Sequence, residues 1–132
     1  MANWVFRDYV SSAGTNQIAK WARKVLSVQE QVELETLLDL LSKQKQWSER
    51  DFKTLSGKHL SGISEIRFKS AQGTPIRVLG MKGPGANEYI LLVGCTHKGK
   101  VYDPAEALDT AVVRKNSLTN GTGGSHCEHE ED

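Results

Sequence analysis

Between Gly62 and Lys98 the chain repeatedly sets charged residues inside apolar strand patterns, and this feature most limits the architectures open to it. In Ile63 to Lys69, Ile66 and Phe68 alternate with Glu65, Arg67 and Lys69, and in Pro75 to Leu79 the apolar Ile76 and Val78 flank Arg77. Alternation with a period of two marks a strand with one face on a core and the other toward water. An unpaired guanidinium is almost never buried, so Arg67 and Arg77 are expected on the open face. The run Tyr89 to Cys95 is apolar on both faces, which predicts a central strand covered on both sides, and His97 and Lys98 close it. Ala71-Gln72-Gly73-Thr74 reads as a short hairpin connection and Lys82 to Asn87 as a longer turn, so these strands are expected to form one sheet with a positive surface.

Elsewhere the pattern changes period. Trp4, Phe6 and Tyr9 suggest a first strand over Asn3 to Val10, broken by Ser11 to Thr15. From Gln17 the spacing is helical, with Ile18, Trp21, Ala22, Val25 and Leu26 on one side and Asn16 as N-cap. Ser27-Val28-Gln29-Glu30 is a capping box, and Val32, Leu34, Leu37, Leu38 and Leu41 form the apolar stripe of the helix it starts. Ser48 to Asp51 repeats the box weakly and predicts a short helical turn carrying Phe52 and Leu55 into the core. Asp103-Pro104 reads as an N-cap and first helical proline, opening a helix to about Leu118 with Arg114 and Lys115 in its last turn.

A single domain over residues 1–118 is expected, because 132 residues with 38% hydrophobic content fit one modest core. Thr119 to Ser125 reads as a linker, and residues 119–132 together as a flexible acidic tail. The net charge of +1 hides an asymmetry: all 17 Lys and Arg precede residue 119, and Lys43 to Lys100 holds 11 of them against the acids Glu49, Asp51, Glu65 and Glu88. Such a segment suits an anionic partner, although a solvated basic face is the plain alternative. Apolar runs shorter than a bilayer, an N-terminus unlike a signal peptide and two cysteines without a disulfide framework predict a cytoplasmic protein without a membrane role. His126, Cys127 and His129 lack the second ligand pair of a zinc site, so no metal and no cofactor is expected. No phosphate-cradling glycine loop and no Gly-x-Ser-x-Gly elbow is present, which removes hydrolases of those kinds.

The succession Lys53-x-Leu55-x-Gly57, Glu65-Ile66-Arg67, Ile76-Arg77-Val78-Leu79, Leu91-Leu92, His97-Lys98 and Pro104-x-x-Ala107-Leu108-x-x-Ala111 resembles the RelE/HigB-like toxins of type II toxin–antitoxin systems, particularly their phage-derived branch. The resemblance implies an α+β fold in which two N-terminal helices pack on a small twisted antiparallel sheet, with a C-terminal helix after it. It implies a metal-independent endoribonuclease that cuts messenger RNA at the ribosome, and a cognate antitoxin as partner in a homo- or hetero-oligomer. Where the family commonly has an acidic residue, this chain has Ala107.

Cleavage of RNA by its own 2′-hydroxyl needs help with deprotonation, with charge on the phosphorane and with the leaving oxygen. Arg67 and Arg77 resemble the strand arginines of the toxin site and suit phosphate oxygens, Lys98 resembles one of a strand-end lysine pair, and His97 replaces the other. His97 is either a proton-transfer group or a strand cap, and Arg67 either a phosphate ligand or the ion-pair partner of Glu65. Lys53, Lys58, Lys69, Lys100 and Tyr102 are the remaining RNA-binding candidates, Tyr102 by stacking on a base or donating a proton, or else as a packing or rim contact. Two other classes fit the same sequence: a non-catalytic binding module of the RelE/ParE fold, and a phage-derived structural or interaction protein.

Overall fold

Asn16 and Ser27 start the first two helices through their own side chains. Asn16 Oδ1 accepts from the backbone N–H groups of Ile18 and Ala19, and Ser27 and Glu30 form a reciprocal capping box. The computed structural model describes residues 3–130, so Met1, Ala2 and the acidic Glu131 and Asp132 lie outside it. In chain order the elements are β1 (Val5–Val10), α1 (Gln17–Val25), α2 (Val28–Ser42), β2 (Phe52–Thr54), a 3-10 turn (Lys58–Leu60), β3 (Ser64–Lys69), β4 (Pro75–Lys82), β5 (Glu88–Lys98), β6 (Val101–Asp103), α3 (Ala107–Asn120) and β7 (Ser125–Glu128).

The architecture is mixed α+β, an open seven-stranded sheet in the order β2-β3-β4-β5-β1-β7, with β6 paired to β5. This sheet is larger than expected, and it is not wholly antiparallel: β1 runs parallel to β5, from Val5 beside Glu88 to Asp8 beside Leu91. Three short strands escaped the sequence pattern because β2, β6 and β7 have three or four residues each, too few for a period to declare itself.

Both faces of the sheet are covered. Leu34, Leu38 and Leu41 of α2 and Ile18 and Ala22 of α1 pack on Ile66, Ile76, Val78 and Leu91. Close approach of α1 depends on Gly94, where a Cβ would lie 2.0 Å from the Trp21 ring. On the opposite face Ala107 and Ala111 of α3 meet Leu79, Ile90, Leu92 and Cys95. Two helical residues expected in the core are not there: Val25 and Val32 are 55% and 54% exposed.

The last helix differs from its expected form at both ends. Asp103 does not cap it, because its backbone is committed to the β6 ladder opposite Thr96; the cap is Glu106, and the helix starts at Ala107. Nor do Arg114 and Lys115 stand in the last turn, since the helix continues to Asn120 and closes on Gly121 in the left-handed conformation that glycine tolerates. Arg114 instead reaches the sheet: β1 and β6 leave the middle of β5 without a neighbour on that edge, and Arg114 Nη1 donates to the Leu92 carbonyl at 2.7 Å.

The segment read as linker and flexible tail also takes up regular structure. Residues 119–120 belong to α3, and Ser125–Glu128 pair antiparallel with β1, Arg7 opposite Glu128 and Val10 opposite Ser125. The physical reason is Asp8, a fully buried carboxylate on β1. Its oxygens accept from Asn16 Nδ2 at 2.9 Å and the Glu130 N–H at 3.1 Å and bond His129 Nδ1 at 2.6 Å, while His129 Nε2 lies 2.8 Å from Glu35 of α2. A buried charge demands such partners, and the tail supplies most of them.

Candidate functional site

Strand register decides which of the basic residues meet. Arg67 on β3 stands directly opposite Arg77 on β4, and Arg77 opposite Cys95 on β5. Side chains two apart on a strand share a face, so Glu65, Arg67 and Lys69 align with Arg77 and, through Cys95, with His97. Tyr102 lies opposite His97 in the β5–β6 pair and joins the same face, its ring edge-on to the imidazole at 4.3 Å between centroids. Lys53 of β2 is opposite Glu65 and also belongs there.

The centre of this group is Glu65, which is only 3% exposed. Its carboxylate accepts from the Tyr102 hydroxyl at 2.7 Å and lies 3.0 Å from Arg77 Nε. That contact is an ion pair without an aligned hydrogen bond, because the Arg77 Nε–H has no acceptor along its axis. Arg77 Nη1 donates to the Ile76 carbonyl at 3.1 Å. Glu65 thus pairs across the sheet with Arg77 and not along its own strand with Arg67. Arg67 Nη2 donates instead to the Glu49 carbonyl, in the turn before β2.

Arg67 and Arg77, with Lys69, Arg50, Asp51 and Phe68, line an open cleft of about 520 Å³. Arg50 was not among the sequence candidates. It stands beside the buried Asp51, whose carboxylate lies 3.3 Å from Arg50 Nε, and the Ser48–Asp51 turn delivers both. The short helical turn expected there is a single one, in which the Asp51 and Phe52 N–H groups both donate to the Ser48 carbonyl before the chain enters β2.

The titratable groups of this face are biased. Burial, then the charge of Arg77, lowers the pKa of His97 against a weaker opposite pull from Glu65. The imidazole is therefore neutral at pH 7, and its Nε2 is buried without a hydrogen-bond partner. Burial, then the hydrogen bond to Glu65, raises the Tyr102 phenol far above its ordinary value, so it stays protonated and is no base. Burial likewise pushes the Cys95 thiol up to about 12, which leaves it an inert core group.

Other candidates stand apart from this face. Lys98 follows His97 by one residue, so the pleat turns it to the opposite face, where its Nζ is 3.7 Å from Asp103. Lys100 is exposed in the turn between β5 and β6, and Lys58 is exposed in the 3-10 turn. Among the described residues no group of three His, Cys, Asp or Glu side chains is placed to hold a metal ion, and no helix is long and apolar enough to cross a membrane.

Fold and face together define a mixed α+β domain with an arginine-rich cleft and a neutral histidine on one side of its sheet. No protein-family model, no curated protein and no solved structure matches the chain.

Proposed function

We propose that this chain is the toxin of a type II toxin–antitoxin pair, of the RelE/HigB-like kind, and that it inhibits translation by cutting messenger RNA at the ribosome without a metal. One observation carries the reading: Arg67 and Arg77, opposite each other on β3 and β4, share with Lys69 and Arg50 a single open cleft. Like charges directly opposed on a sheet are unfavourable, and Glu65 relieves only Arg77. A bound phosphodiester relieves both, and the guanidinium fork matches its oxygens.

In the proposed reaction, neutral His97 removes the proton of a ribose 2′-hydroxyl, and the 2′-oxygen attacks the adjacent phosphorus. The phosphorus–5′-oxygen bond breaks, leaving a 2′,3′-cyclic phosphate. The imidazolium so formed returns its proton to the 5′-oxygen. Arg67 and Arg77 stabilise the charge of the phosphorane, an electrostatic role that typically contributes more than any single proton transfer. Lys53 and Lys69 extend the basic surface for the flanking backbone, and the cognate antitoxin neutralises the toxin by covering it.

A second reading keeps the basic face as a binding surface without catalysis. It is favoured by the partial neutralisation of Arg77 by Glu65 and by the turn of Lys98 away from the cleft.

The deciding experiment is induced expression in a bacterial host with mapping of new messenger-RNA ends, for the wild type, Arg67→Ala/Arg77→Ala and His97→Ala. Growth arrest with cuts that vanish in both variants, while both remain folded, supports the nuclease. Growth arrest without cuts moves the assignment to a binding module, and healthy growth with abundant folded protein sinks the toxin. Ribosome or RNA affinity is expected to fall steeply with salt, because phosphate contacts release counterions.

A further inference from the structure

Five of the nine aromatic residues converge at the other end of the sheet, away from the arginine cleft. Trp47, in the loop after α2, is their hub. Its ring centroid is 4.8 Å from Trp4, 5.7 Å from Phe6, 5.1 Å from Phe52 and 5.3 Å from Tyr89. Phe6 is buried beneath the others. Trp4, Trp47, Phe52 and Tyr89 line a cavity of about 540 Å³, with Lys45 and Lys82 at its edge. Arg77 and Lys82 are separated along β4 by roughly 16 Å at strand spacing, so cleft and cavity are different places.

The polar atoms of the aromatic walls are already engaged within the protein. Trp47 Nε1 donates to the Leu41 carbonyl at 2.9 Å, Trp4 Nε1 to the Lys45 carbonyl at 3.4 Å, and the Tyr89 hydroxyl pairs with Ser64 Oγ at 2.7 Å. What the aromatic walls offer an occupant is therefore ring surface, beside the side chains of Gln46 and Thr54. Charge at the mouth is of one sign. Lys45 and Lys82 are exposed, no carboxylate lines the cavity, and Lys82 Nζ already lies over the Trp4 ring, 5.8 Å from its centroid. Among the described residues neither lysine is in an ion pair.

We infer that this cavity is a binding site for a small planar aromatic anion, its rings against Trp4, Trp47 and Phe52 and its acid group between Lys45 and Lys82. The volume lies within the range of small-molecule sites and accommodates two fused rings. Offset and edge-on contacts with the walls favour a flat body, and the unpaired ammonium groups favour an acid over its neutral isostere. The site is independent of the proposed nuclease, so either assignment can fail without the other.

The test is titration of the full chain with 2-naphthoate, followed through the three tryptophan indole N–H resonances. Trp4 and Trp47 are expected to shift saturably, while Trp21, packed on Gly94, stays in place. The neutral 2-naphthamide is expected to bind about tenfold more weakly, and the exposed pair Lys45→Gln/Lys82→Gln to lose most of that difference while remaining folded. No saturable shift at millimolar naphthoate, or equal shifts at all three tryptophans, overturns the site. Equal affinity for acid and amide overturns the anionic class of ligand.

Discussion

Two buried carboxylates in this molecule each have a histidine nearby, and the two histidines are driven in opposite directions. At the β1–β7 edge, Asp8 and Glu35 both bond His129; burial opposes its charge, but the hydrogen bonds and charges of the two acids outweigh it and raise the pKa to about 10. At the far side of the sheet, Glu65 is taken by Arg77 and Tyr102, and His97 meets burial and the charge of Arg77 without a carboxylate bond. The partner that reaches the carboxylate first thus decides the histidine's charge. One site becomes a closed structural clasp and the other keeps a neutral imidazole beside a guanidinium that has taken the carboxylate for itself.

The largest expected effect breaks the clasp. Asp8→Ala removes the acceptor shared by His129, Asn16 and the Glu130 N–H and leaves His129 half-paired, at a cost of about 4 kcal/mol. Urea unfolding measures it, and a loss below about 1 kcal/mol would mean the clasp holds nothing. The same contact sets a pH dependence. The folded pKa of His129 lies above its unfolded value of 6.5, so its stabilisation is complete below pH 6.5 and is lost as pH rises through about 10. Amide exchange of Cys127, in β7, is expected to accelerate over that window relative to Ile66 in β3 once intrinsic exchange is allowed for.

Little of the clasp was legible in the sequence. Asp8 follows Phe6 by two residues and so falls on the apolar face of its strand with no local partner in view, and His126, Cys127 and His129 read as a loose polar end, because nothing local says that β7 returns to β1 across more than a hundred residues. The helix caps at Asn16 and Ser27 were legible because they are local, and so was the two-sided burial of Tyr89 to Cys95. Arg67 and Arg77 on one face could be inferred from alternation within each strand. That Glu65 belongs to Arg77, and that Lys98 turns away from His97, needed the β3–β4–β5 register and the pleat at the end of β5. Arg50 and the aromatic cavity are assembled by loops, which carry no period to read.

An intermediate effect sharpens the comparison from the other side. Glu65→Ala leaves the Arg77 guanidinium partly buried without its counter-ion and the Tyr102 hydroxyl without its acceptor, at a cost of about 3 kcal/mol. Where Asp8→Ala only weakens the molecule, this variant also frees Arg77 for an anion. Nonspecific RNA affinity at low salt is therefore expected to rise while the urea midpoint falls. If both fall together, the face does not bind phosphate through Arg77.

The smallest expected effect bears on His97 alone. Arg77→Gln keeps a polar side chain on the same unbranched stem but is shorter and uncharged, so the His97 pKa rises; burial persists, and it does not climb to that of His129. The sign of the accompanying stability change follows from linkage. With a folded pKa below the unfolded one, His97 costs stability as pH falls below 6.5, because the unfolded chain binds the proton more readily. Arg77→Gln should therefore flatten the acid side of the pH–stability curve, even though the loss of the Glu65 ion pair lowers the curve as a whole. Imidazole Hε1 shifts measured between pH 4 and pH 8 follow the titration directly. An unchanged His97 titration in the variant would mean that burial alone sets its charge, and the contrast between the two histidines would then rest on hydrogen bonding to acids and not on the guanidinium beside His97.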